Sequence, residues 1–79
     1  MSPTVFRHKN WRFYFFSREE QRMHAHVSSP DGEAKFWLDP TITLATYYGL
    51  SERQLHELQK IIEEKEHEIK EAWKKHFKS

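Results

Sequence analysis

Two histidines, His24 and His26, stand at alternate positions just ahead of Ser29-Pro30-Asp31-Gly32, and Glu33, Lys35 and Trp37 alternate just after it. Proline presets a turn backbone, aspartate bonds its own main chain and glycine tolerates the tightest position, so residues 29–32 read as a hairpin turn. Pairing then sets Ser28 opposite Glu33, Val27 opposite Ala34, His26 opposite Lys35, Ala25 opposite Phe36 and His24 opposite Trp37. Side chains alternate across a strand, so one face collects Ala25, Val27, Ala34, Phe36 and Leu38, and the other His24, His26, Glu33, Lys35 and Trp37. Imidazole changes charge near neutral pH, and opposed side chains stand about 5 Å apart at Cβ. With His24 or His26 as general base, the other or Lys35 as acid or phosphate clamp and Glu33 beside them, this face would suit metal-independent RNA cleavage.

The strand before the hairpin extends the pattern: Trp11, Phe13 and Phe15 turn inward, leaving Arg12, Tyr14 and Phe16 outward. Arg12, Tyr14, Lys35 and Trp37 together could stack bases and hold phosphate, or dock a partner protein. Without any ligand, the same residues make an ordinary sheet face of amphipathic side chains. His24 and His26 supply only two metal ligands, and Glu33, diagonal to His26, lies far from His24, so no metal is assigned. No cofactor is assigned either.

Four stretches rich in aromatic and β-branched residues supply strands at about 4–7, 11–17, 24–28 and 33–38. From Leu55 onward, Leu58, Ile62, Ile69, Ala72, Trp73 and Phe77 recur at spacings of three, four and seven, which predicts an amphipathic helix over 51–78. Ser51 with Gln54 forms its capping box. Residues 41–48 fit a short helix after Asp39-Pro40 or a further strand through Thr41, Ile42 and Thr43. The expectation is an α+β fold: a small antiparallel sheet of three to four strands on one long C-terminal helix, as a single domain over 1–79.

A helix of 28 residues would run roughly 40 Å, whereas a compact domain of this length has a radius of gyration near 12 Å. Its far end would overhang. Ile69, Trp73 and Phe77 would then pack on Val5 and Phe6 or on a second chain, as a helix-mediated interface. Lys65 interrupts the stripe and argues against a regular coiled coil. Ala45 with Gly49 ahead of a capped helix also has helix-turn-helix spacing, a DNA-reading alternative. Glu57, Glu63, Glu64, Glu66 and Glu68 on that helix oppose phosphate.

With 79 residues, 37% of them apolar, the chain has room for one thin core, which excludes a two-domain enzyme around a buried cofactor. Thirteen basic and twelve acidic residues leave a net charge of +1, so nucleic acid would have to be held by a local patch. Protonating the six histidines would raise the charge to +7. Without cysteine there is no disulfide or thiolate chemistry, and a reducing, cytoplasmic setting is expected. Phe13–Phe16, the longest apolar or aromatic run, is too short to span a membrane, and residues 1–9 lack the apolar run of a signal peptide.

The chain resembles a small bacterial family, domain of unknown function 4160. The likeness rests on Ser2-Pro3-Thr4-Val5-Phe6-Arg7, His24-Ala25-His26-Val27, Gly32-Glu33-Ala34-Lys35-Phe36-Trp37-Leu38, Gly49-Leu50-Ser51 and Glu71-Ala72-Trp73. Met23 departs from it, standing where the family usually has proline. The resemblance implies a component of a toxin–antitoxin module, often encoded beside a second small domain. Two roles follow from it: an RNA-directed toxin using His24 and His26, or an interaction module that docks a neighbouring small protein or a second copy through its sheet face or long helix.

Overall fold

The computed structural model describes residues 4–15 and 22–76. Five strands, β1 (Thr4–His8), β2 (Trp11–Tyr14), β3 (His24–Ser28), β4 (Glu33–Trp37) and β5 (Thr43–Tyr48), precede two helices, α1 (Glu52–Glu64) and α2 (Glu66–His76). The sheet is an antiparallel meander in the order β1-β2-β3-β4-β5. Each strand pairs with the one before it, so no crossover connection is needed.

The β3–β4 hairpin has the register that its turn residues dictate, from Ser28 opposite Glu33 to His24 opposite Trp37. Reciprocal main-chain bonds between Ser29 and Gly32 (2.9 and 3.3 Å) close the turn, and Ser29 Oγ accepts from the Asp31 N–H at 3.1 Å. Residues 43–48, open between helix and strand on sequence grounds, form β5, so the α+β sheet has five strands rather than three or four. β-Branched and aromatic side chains at Thr43, Thr46, Tyr47 and Tyr48 suit the pleated edge beside β4. With a strand there, the helix-turn-helix arrangement has no first helix.

Gly49, at φ +76, turns the chain out of β5. A Cβ on Gly32 would stand 2.1 Å from the Tyr48 carbonyl oxygen, and one on Gly49 would stand 2.6 Å from that of Asp31. Only paired glycines let these two backbones approach so closely. Ser51 opens α1 with both halves of the capping box: its Oγ accepts from the Gln54 N–H (3.2 Å), and its own N–H donates to Gln54 Oε1 (2.9 Å). Gln54 Nε2 donates in turn to Asp31 Oδ2 at 3.1 Å, fastening the hairpin turn to the helix start.

The expected single helix is broken at Lys65, the residue that interrupts its apolar stripe; there φ is −103 and ψ is 14. Bonds from Lys65 N–H to Ile61 and from Ile69 N–H to Lys65 O carry the chain across the break. The helical pair spans residues 52–76, about 37 Å if straight, against a longest molecular dimension of 37 Å. The pair is thus as long as the molecule itself, and towards its far end Ile69 and Trp73 are buried in the protomer's own core. Leu55, Leu58, Ile61, Ile62, Ile69 and Trp73 bury their side chains in one core with Trp11, Phe13, Phe15, Val27, Phe36 and Leu38. Phe6 stacks on Phe13 at 4.3 Å to extend this core to β1.

Candidate functional site

The helices cover one side of the sheet, and the registers lay out the other as rows. One row runs Tyr14, His26, Lys35, Thr46; a second runs Arg12, Ser28, Glu33, Tyr48; a third runs His24, Trp37, Thr43. Alternation places them together: on β2, Trp11 and Phe13 are buried while Arg12 and Tyr14 are half-buried, and β4 repeats the pattern. A groove of about 260 Å³ opens across these rows, and its lining includes Tyr14, His26, Glu33, Lys35, Thr46 and Tyr48. Tyr47 and Tyr48 are 53% and 77% exposed. The lining of a larger depression comes, among the described residues, from α1, with Arg53, His56, Glu57 and Lys60.

Cations on this face are held against rings. The Arg12 guanidinium lies 4.6 Å from the Tyr14 ring centre, Lys35 Nζ lies 4.5 Å from that of Trp37, and the Arg22 guanidinium lies 4.3 Å from Trp37. Arg22 Nε also donates to the Asp39 carbonyl at 3.0 Å, which fixes its position. Tyr14 and His26 stack at 5.4 Å and 22°. Burial raises the Tyr14 phenol above its ordinary value, and the Glu33 carboxylate adds to this; Arg12 and a hydrogen bond with Ser28 oppose it.

His24 lies in the third row but is covered there. Its side chain is 0% exposed, enclosed by the rings of Trp73 and His26 at 5.0 Å each and of Trp37 at 5.8 Å. Its Nδ1 lies 2.7 Å from the Arg22 carbonyl oxygen. A carbonyl only accepts, so Nδ1 carries the proton. The expected pair of accessible imidazoles is therefore corrected to one, His26. α2 closes over the end of β2 and β3, where Trp73 meets both Phe15, at 5.2 Å, and His24.

The expected helix-mediated interface is corrected as well. Ile69 and Trp73 are 0% and 7% exposed within the protomer's own core, and Phe77 lies outside the described residues, as does Phe16. The structure brings His26, Glu33 and Lys35 into the groove with Tyr14, and holds Arg12 and Trp37 beside it. Sequence reasoning missed Arg22, Thr46, Tyr47 and Tyr48; settling 41–48 as a strand would have found the last three. Among the described residues no three His, Asp or Glu side chains gather to hold a metal, and no helix is long and apolar enough to cross a membrane.

A family model, Domain of unknown function (DUF4160), matches residues 10–74. The chain belongs to this family. The DUF4160 match takes in β2 to β5 and α1, and thus every row of the open face. Neither the curated proteins nor the solved structures contain a significant match to the chain.

Proposed function

We propose that this DUF4160 protein is a protein-interaction module of a toxin–antitoxin pair, working in the cytoplasm and docking its partner on the open face of the sheet. One observation carries the reading: restrained cations and the exposed Tyr48 surround a groove on the face that the helices leave bare, while among the described residues the helical apolar stripe is buried in the core. Rings and guanidinium groups of this kind dominate the energetics of protein interfaces. Nucleobases need bare ring faces, and those of Tyr14 and Trp37 are already taken, by Arg12 and His26 and by Arg22 and Lys35. The family resemblance supplies the partner, the small protein encoded beside it. Co-expression of the two should yield a stable complex that Arg12→Ala and Tyr48→Ala each weaken about tenfold or more. A monomer that captures nothing from that co-expression overturns the reading.

A second reading, metal-independent RNA cleavage, is favoured by one feature: His26 faces Lys35 directly, with Glu33 in the same groove. His26 would then be the imidazole base of the groove, with Lys35 on phosphate. Induced expression should slow growth and degrade RNA, and His26→Ala should relieve both; toxicity unchanged in that variant removes this reading.

A further inference from the structure

Among the described residues β5 ends the sheet, and its own side chains do little to guard the edge. Its six residues, Thr43-Leu-Ala-Thr-Tyr-Tyr48, include no charge and no proline, the usual guards against further strand pairing. Resting on the reading as an interaction module, we propose that the partner contributes an extended segment that adds to β5 as a sixth strand and carries a carboxylate beside Thr46.

The position of the charge follows from the rows. Strands lie about 4.8 Å apart, so an added strand would stand roughly 10 Å from β4. A glutamate side chain and a lysine side chain reach across that gap together. Lys35 is the β4 residue in the row of Thr46, so the carboxylate belongs there. One row along, Tyr48 lies opposite Glu33, and a second carboxylate at that place would meet like charge; an apolar or aromatic residue fits beside Tyr48 instead.

The same features exclude a second copy as the occupant. β5 has no carboxylate to offer the Lys35 of another chain. Lys35 pairs with Thr46 but Phe36 pairs with Leu44, so Ala45 is a bulged residue without a counterpart on β4. Antiparallel pairing of β5 with itself over its full length would put Ala45 against Thr46, placing two bulges at the centre of the junction.

Three synthetic peptides test the proposal on the full chain: Thr-Val-Thr-Glu-Thr-Val-Thr and its Gln and Lys analogues, titrated against ¹⁵N-labelled protein. Amide shifts should concentrate on Thr43–Tyr48. The Glu peptide should bind about fivefold more tightly than the Lys peptide, the upper range for a solvent-exposed ion pair. Lys35→Glu should reverse that order while leaving the β5 shifts in place. Shifts on β2 and β3 with β5 untouched, indifference to the charge of the peptide, or no binding at millimolar concentration each overturn the strand-addition proposal. Hydrogen exchange in the co-expressed complex separates it from the broader reading. If the complex forms but leaves the β5 amides no better protected, strand addition fails alone; if no complex forms, the interaction reading falls.

Discussion

Replacing Trp73 by alanine tests which side of the molecule α2 serves. Trp73 is 7% exposed and touches Phe15 and His24 edge-on at 5.2 and 5.0 Å. A large aromatic side chain buries 150–250 Å², which at about 25 cal/mol per Å² corresponds to roughly 4–6 kcal/mol. Alanine retains a part of that, and measured truncations of buried tryptophan and phenylalanine cost about 3–5 kcal/mol. A domain of this length has on the order of 4–12 kcal/mol of stability in all, so the variant should lose a large share of it. Urea titration followed by far-ultraviolet circular dichroism would read the loss as a fall in midpoint with an unchanged slope. A loss below about 1 kcal/mol, together with failure to bind the partner, would restore Trp73 to an intermolecular seam and refute its place in the core.

Gly32→Ala should cost about 1–3 kcal/mol, because its Cβ would meet the Tyr48 carbonyl at 2.1 Å; a urea midpoint equal to wild type would deny the close approach of turn and strand. Ser51→Ala should cost about 1 kcal/mol by the same measurement, since it removes the acceptor for the Gln54 N–H. The folded protein holds the Tyr14 proton more tightly than the unfolded chain, whose phenol has the ordinary value of 10.0. Stability is therefore intact below pH 10 and declines as the pH rises through the higher folded value. Tyr14→Phe should lose less stability than wild type between pH 8 and pH 10.5, and identical losses would contradict the shift.

Much of the open face was legible because pairing and alternation are arithmetic. Ser29-Pro30-Asp31-Gly32 set the turn, the turn set the register, and the register put His26, Glu33, Lys35 and Trp37 on one side. Arg12 and Tyr14 joined them by parity alone. Residues 41–48 stayed open because so short an apolar and β-branched run fits either period, and the choice depends on pairing with the edge of β4. The fate of His24 was hidden for a different reason. Alternation tells which side of a sheet a residue faces, but not what crosses that side at its end. The break at Lys65, forty residues further along in sequence, is followed by the segment that brings Trp73 over His24. Parity alone left the imidazole exposed on paper.

Position 54 shows how a single amide can join two local structures. Its oxygen accepts from the Ser51 main chain, and its nitrogen donates to Asp31. Glutamate, the other common choice for the capping role, would keep the first bond but set two negative charges against each other at the second. Because one planar group serves both neighbours, loosening of the 29–32 turn releases the first turn of α1, and the reverse holds too. The two places should open to solvent as one unit, with matched exchange rates for amides that lie more than twenty positions apart in the chain.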